Sequence, residues 1–213
     1  MEMFGHCSAS ILLLFGLLSG SAPTPVLQME TYEDAFNLTR TTKVLVKQVL
    51  KSYTRQQLGD EDFEDRSRQL RDLPELSMEF YSWRQLTDWE RLQRALTDMQ
   101  AYWNRLEWSR TQLEKESKST DASLPDGIRH IQLDLRDLMV EVISQMSRLN
   151  SSWIKPTVPA AVKPLRRATQ DWDRRVEGYV VLRDLSLYLI RLARDFLLLE
   201  SQTQAAQSQD ADH

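Results

Sequence analysis

The sequence predicts an all-α fold, a long-chain four-helix bundle whose helices run up-up-down-down. Only 6 glycines occur in 213 residues, and the prolines cluster in a few places. Apolar residues also recur at helical spacing over four long stretches. Such stretches form long helices that pack along their lengths. The hydrophobic content of 41% is ordinary for a single globular domain of this length.

The N-terminus has the pattern of a cleaved export signal. Residues 11–18 read ILLLFGLL and are followed by the small residues Ser19, Gly20, Ser21 and Ala22. This run is shorter than the ~20 apolar residues that span a bilayer. We therefore expect a signal peptide over residues 1–21 and a secreted, extracellular domain over 22–213 with no membrane insertion. The alternative is a buried N-terminal helix.

The single cysteine, Cys7, lies inside this signal. The mature chain then has no thiol, and a secreted domain without disulfides depends on core packing for its stability. That requirement favours long helices with broad apolar faces.

The first helix is predicted over residues 31–58. It begins with Thr31 and Asp34 in a capping-box-like arrangement and ends at Gly59. A polar gap around residues 39–43 interrupts its apolar positions, which are Tyr32, Phe36, Val46, Val49, Leu50 and Tyr53.

The second helix is predicted over residues 87–116. Thr87 and Glu90 form a full capping box at its start. One stripe of large side chains, interrupted only by Arg110, then follows with 3–4 spacing: Trp89, Leu92, Leu96, Met99, Trp103, Leu106 and Leu113. Aromatic residues at these positions suit a bundle core better than the narrow seam of an isolated coiled coil.

The third helix is predicted over residues 124–150 and the fourth over 170–202, with a disordered tail over 203–213. The fourth helix is the most apolar. Its polar residues fall in one narrow stripe when placed 100° apart, so we expect most of the remaining circumference to be buried. That stripe contains Asp173, Glu177, Asp184, Arg191 and Asp195.

The lengths of the connections predict the topology. Residues 59–86 and the proline-rich residues 151–169 are long enough to run the length of a helix of ~42 Å. The middle connection, residues 116–123, is short and implies an antiparallel turn. Long, short and long connections are typical of growth hormone and cytokine bundles.

Few residues are suited to catalysis or to metal binding. Outside the signal only His130 and His213 remain as histidines, so the usual ligands of a zinc site are missing. The acidic run 59–65 lacks the residue order of a calcium-binding EF-hand loop. No phosphate loop or nucleophile elbow is present, and the basic residues are scattered. We expect no enzyme activity, catalytic residue, cofactor, metal or nucleic-acid partner.

Three segments carry a resemblance to a known family. Residues 73–92 contain Leu-Pro, Phe-x-x-Trp and Glu-Arg-Leu elements, residues 133–138 read LDLRDL, and residues 185–199 form a leucine-rich final helix. Together they resemble the interleukin-6 family of helical cytokines. Within that family the likeness is strongest to a member that works as one subunit of a heterodimer.

The resemblance implies a set of partners and contact residues. The chain would pair with a soluble class I cytokine-receptor-like chain, then engage a specific type I cytokine receptor and the family's shared signal-transducing receptor, and so regulate immune cells. Trp83 would contact the soluble chain with Arg194 as its charged neighbour, and Trp172 would contact the shared receptor. Exposed tryptophans suit such contacts because they bury a large area with few rotamers. Each of the three residues has a structural alternative: core packing for Trp83 and Trp172, and an ordinary surface charge for Arg194.

Two sequons, at Asn37 and Asn150, predict N-glycosylation on a secretory route. Two other functions remain open at this point. One is a self-sufficient cytokine of the ciliary-neurotrophic or cardiotrophin type. The other is a secreted amphipathic lipid-binding protein, although apolipoprotein-like helices favour 11-residue repeats punctuated by proline.

Overall fold

The computed structural model describes residues 31–77, 80–116, 122–150, 152 and 171–211. The described residues form helices and connections without any β-strand. In chain order the α-helices are α1 (Tyr32–Tyr53), α2 (Phe80–Gln85), α3 (Asp88–Glu116), α4 (Ser123–Leu149) and α5 (Asp171–Ala211). The prediction of an all-α helical bundle is confirmed. The expected signal peptide and most of the connection before α5 lie outside the described residues.

Helix α1 begins and ends where local signals place it. The Thr31 side chain accepts a hydrogen bond from the Asp34 backbone N–H at 3.3 Å. After Tyr53 the helix widens into a π-helical turn, Thr54–Leu58, which ends at Gly59 with φ of +74°. Only glycine adopts that backbone conformation without strain.

The polar gap in α1 does not interrupt the helix. Thr39 and Thr42 are completely buried, and each hydroxyl donates to a carbonyl four residues earlier. The Thr42 hydroxyl also lies 2.9 Å from the carboxylate of Asp134 on α4, so its single proton is shared between two acceptors. Because their hydroxyls are satisfied, these threonines pack inside the bundle at little cost.

The capping box predicted at the start of α3 is present. The backbone N–H of Thr87 donates to the Glu90 carboxylate at 2.9 Å, and the N–H of Glu90 donates to the Thr87 hydroxyl at 3.3 Å. The hydrogen bonds from Thr87 lower the pKa of Glu90. This reciprocal pair satisfies N–H groups that a helix start otherwise leaves without partners.

Contacts between helices give their directions. The N-terminal Tyr32 of α1 stacks on Phe196 late in α5, whereas Tyr53 at the other end of α1 donates to the Arg175 carbonyl early in α5. Thus α1 and α5 are antiparallel. On α3 and α5 the pairs Arg91–Asp195 and Arg105–Glu177 likewise run in opposite directions.

Helix α4 is antiparallel to α1 as well. Thr42 of α1 meets Asp134, while Val49, further along α1, lies against Gly127, earlier in α4. Since α1 and α3 both oppose α5, they run the same way, and α4 and α5 share the other direction. The arrangement is up-up-down-down.

The part of the polar stripe of α5 that runs from Asp184 to Asp195 is buried, contrary to the expectation that the stripe is the exposed face of the helix. Asp173, at the start of the stripe, remains partly exposed. Asp184, Arg191 and Asp195 are 7–8% exposed. They face α3, where Arg191 pairs with Asp98 and Asp195 pairs with Arg91. Opposite charges on the two helices therefore pair across the interface, and solvent contacts another face of α5.

Two further differences from the prediction concern the C-terminal tail and the long connection before α3. Helix α5 continues to Ala211, so the expectation of disorder from residue 203 is wrong for the described part of the tail. The long connection before α3 contains α2, a short helix that the sequence did not predict and that includes Trp83.

Candidate functional site

The outer face of α5 is unusually apolar for a surface. Trp172, Leu187, Ile190 and Leu197 are 47–54% exposed. With 100° per residue they fall within about 80° of one another, so they lie along one side of the helix. Large exposed apolar side chains grouped on one face mark interaction surfaces more often than chance exposure does.

The connection between α1 and α2 crosses this face between Trp172 and Leu187. The Phe63 ring meets the Tyr179 ring edge-on, with 5.0 Å between centroids. Arg183 donates to the carbonyl oxygens of Asp65 and Arg68. The outer face of α5 is consequently divided into a Trp172 end and a second end that runs from Leu187 to Arg194 and Leu197.

At the second end, which we call the Trp83 end, α2 is fastened to α5 and α3. The indole N–H of Trp83 donates to the Asp195 carboxylate at 2.6 Å. Arg91 donates to the same oxygen at 2.7 Å and to the Trp83 carbonyl at 3.0 Å. The guanidinium groups of Arg91 and Arg194 each lie 4.9 Å from the indole centroid. Such cation–π contacts add to the hydrogen bonds that hold the ring.

The structure thus brings Trp83 and Arg194 together, as the resemblance implied. It also places Trp83 beneath the surface, because only 9% of the residue is exposed. The exposed aromatic residues of α2 are Phe80, at 56%, and Tyr81, at 70%. Their rings lie 5.8 Å apart, and Phe80 also contacts the Trp83 ring at 5.8 Å.

A groove opens beside this cluster between the N-terminal part of α1 and the C-terminal part of α5. Trp83 forms part of its wall, and Arg194 and Leu197 line it from α5. From α1 it is lined by Phe36 and Asn37. Its lining combines apolar side chains with an exposed cation and two carboxylates, and such a mixture is compatible with protein docking.

The Trp172 end is built differently. Trp172 is half exposed and rests edge-on against Phe63, with 6.2 Å between ring centroids. Arg68, in the same connection, donates to Asp173 beside it at 3.0 Å. The indole is supported from one side and open on the other, so Trp172 is available for contact.

Both predicted glycosylation sites are on the surface. Asn37 lies in α1 and is exposed, and Asn150 is the exposed C-cap residue of α4.

Sequence reasoning missed the residues that fix Trp83 in place, namely Arg91 and Asp195. One signal was available, because Arg91, Asp98 and Arg105 recur every seven residues on α3. Charges at heptad spacing in a helix with an adjacent apolar stripe indicate a second, polar interface.

Other classes of site find no support in the described parts of the chain. Within those residues no group of three or more histidine, cysteine, aspartate or glutamate side chains could hold a metal ion. Over the same ranges, none of the helices combines the length and the hydropathy needed to cross a bilayer.

Comparison with known families gives one result. The chain matches the family model described as Interleukin 11 over residues 23–203. A search of curated proteins finds no match.

Proposed function

Since the chain belongs to the interleukin-11 family, one of the interleukin-6-type families of helical signalling ligands, we propose that it acts as a secreted cytokine subunit. Its partners are a soluble class I cytokine-receptor-like chain, a specific type I receptor and the shared signal-transducing receptor. The observation that carries the proposal is the apolar outer face of α5, which stays exposed at both ends of the helix.

We assign the soluble receptor-like chain to the Trp83 end. Arg194 and Leu197 present a cation beside an apolar side chain, and Phe80 and Tyr81 extend the same surface. Trp83 contributes a wall of the groove and holds α2 and Arg194 in place. Arginine and aromatic residues around a groove are the commonest hot spots of protein interfaces.

We assign the shared receptor to the Trp172 end. Trp172 and Arg194 are 22 positions apart in α5, which corresponds to about 33 Å along the helix. A standard interface buries about 800 Å² on each partner, a patch roughly 30 Å across. Two receptor chains therefore fit on α5 at the same time.

Within the interleukin-6-type cytokines we propose a role like that of the alpha subunit of interleukin-27. The support is the Phe-x-x-Trp segment that contains Trp83, the LDLRDL segment of α4 and the leucine-rich α5. Two features depart from that subunit: residues 155–169 are proline-rich where it has a polyglutamate tract, and Trp172 precedes Asp173 where it has a proline. A self-sufficient cytokine of the ciliary-neurotrophic or cardiotrophin type is the alternative.

Arg194→Glu tests the Trp83 end. We expect this variant to capture a soluble class I receptor-like chain at least about tenfold more weakly, because the charge reversal removes the cation of the groove and adds a third carboxylate beside Glu33 and Glu200. Arg55→Glu, an exposed arginine in the π-helical turn near the Trp172 end, is the matched control. Affinity is measured by titrating each purified variant with the immobilised partner.

Equal capture by the Arg194→Glu and Arg55→Glu variants would remove Arg194 from the interface. Co-expression adds a test of the subunit role. We expect secretion of the chain to rise when a soluble receptor-like chain is expressed with it, whereas a self-sufficient cytokine signals and is secreted without that partner.

A further inference from the structure

The groove at the Trp83 end is lined by Asn37, a residue that can carry an N-linked glycan. Asn37 lines the groove from α1, opposite Arg194 and Leu197 of α5. It is also the acceptor of the sequon completed by Thr39. An N-linked glycan is bulky and hydrated. A glycan on Asn37 and a protein seated in the groove compete for the same space.

In the folded helix, the hydroxyl residue of this sequon is buried. Thr39 is completely buried, and its hydroxyl donates to the Ala35 carbonyl at 2.7 Å. Asn37 itself remains exposed. Because a sequon consists of both the asparagine and the hydroxyl residue, a transferase cannot reach the complete sequon once α1 has packed. Modification must come before folding.

We propose that a glycan on Asn37, added before α1 folds, closes the groove beside Arg194, so that occupancy of this sequon sets the fraction of chains able to capture the soluble partner. In the transfer, Nδ2 of Asn37 bonds to the anomeric carbon of a lipid-pyrophosphate-linked oligosaccharide and loses a proton. The bond between that carbon and the phosphate oxygen breaks, and the lipid pyrophosphate leaves. The inference rests on the proposed function, because it assumes that the partner docks in this groove.

The first experiment measures binding by the two glycoforms. The chain is secreted from mammalian cells, fractions with and without a glycan on Asn37 are separated on a lectin column, and peptide mass spectrometry verifies occupancy. Each fraction is titrated with a soluble class I receptor-like chain. We expect the glycosylated fraction to bind at least about tenfold more weakly than the fraction without a glycan on Asn37. Asn150→Gln, which removes the other sequon, is the matched control and leaves binding unchanged.

Two results overturn the inference: secreted chains that carry no glycan on Asn37, or glycosylated chains that bind within twofold of the unmodified fraction. The unmodified fraction of the Arg194→Glu variant separates this failure from failure of the proposed function. If that fraction captures the partner fully, the partner docks elsewhere and both proposals fail. If it loses capture while the glycan has no effect, only the glycan inference fails.

The second experiment tests the timing. Unglycosylated protein made in bacteria is incubated with oligosaccharyltransferase and its lipid-linked donor, either folded or as a peptide covering residues 31–45. We expect transfer to the peptide and none to the folded chain. Equal transfer to both would show that Thr39 is accessible in folded α1 and would contradict modification before folding.

Discussion

The two ends of the α5 outer face each hold a tryptophan, in opposite settings. Trp83 is 9% exposed, donates to Asp195 and lies beside two guanidinium groups, whereas Trp172 is 50% exposed and touches Phe63 with one edge. Both indoles are adjacent to surfaces that we assign to receptors. The difference shows that residue type alone does not identify a contact residue. Under the proposed assignments, Trp83 supports one interface from below, and Trp172 forms part of the other.

The largest effect is expected from Asp195→Ala, which removes the acceptor shared by Trp83 and Arg91. Arg91 is 2% exposed, and the substitution leaves its charge buried without a carboxylate. Removing one partner of a buried ion pair costs about 3–5 kcal/mol. We expect the free energy of unfolding, measured in urea, to fall by about this amount.

Asp173→Ala is the control for Asp195→Ala. Its ion pair with Arg68 has both side chains more than a third exposed. Exposed pairs contribute about 0–1 kcal/mol. Similar losses for the two substitutions would mean that the Trp83 end is no more firmly held than the Trp172 end.

The second effect is on binding. Trp172→Ala is expected to weaken binding of the shared receptor ectodomain at least about 30-fold, since loss of a hot-spot tryptophan costs about 2 kcal/mol or more. Binding of the soluble receptor-like chain by the same variant is the internal control and stays unchanged. A variant that unfolds, or one that binds the shared receptor normally, would contradict the assignment of Trp172.

The third effect contrasts the two indoles directly. Trp83→Phe keeps an aromatic ring but removes the N–H that donates to Asp195. A lost hydrogen bond to a buried charged group costs about 1.5–3 kcal/mol. Trp172→Phe is expected to change the free energy of unfolding by less than about 0.5 kcal/mol, because its indole donates no hydrogen bond to any residue that the structure describes. Equal unfolding midpoints in urea for the two variants would remove the distinction.

The smallest effect concerns Glu141, a buried carboxylate on α4. Burial raises its pKa, although Gln145 donates to it. The folded state therefore disfavours ionised Glu141. Its ionisation destabilises the fold above the raised pKa, and this loss of stability disappears when the pH falls to the pKa of an ordinary glutamate. We expect Glu141→Gln to raise the melting temperature at pH 7 and to have no such effect near pH 4. Glu33→Gln, on the exposed surface of α1, is the control. A stabilisation that is the same at both values of pH would contradict this account of Glu141.

The sequence predicts features that depend on neighbouring residues and misses features that depend on contacts between distant residues. The capping box at Thr87 and the stop at Gly59 are local, so the helix bounds follow from a few neighbouring residues. Periodicity shows which side chains share a face of α5 but not which face is buried. The burial of Asp195 depends on Arg91, 104 residues away in the chain, and only the packed structure shows that pairing.

The same limit applies to the candidate site. The resemblance singled out Trp83, Trp172 and Arg194 from sequence elements, and it implied the proximity of Trp83 and Arg194. It carried no information on exposure, because exposure depends on α2 and on the connection that crosses α5. For that reason Phe80, Tyr81 and Leu197 emerge as candidates only from the structure.

The most direct test of two separate receptor surfaces on α5 is a co-binding titration. The chain is saturated with the soluble receptor-like chain, and the affinity of the shared receptor ectodomain is then measured. Because Trp172 and Arg194 lie about 33 Å apart along α5, we predict a 1:1:1 complex. In that complex the affinity for the shared receptor changes by less than about threefold. Arg194→Glu should lose only the first partner and Trp172→Ala only the second. Mutual exclusion of the two receptors, or loss of both by either variant, would contradict the account.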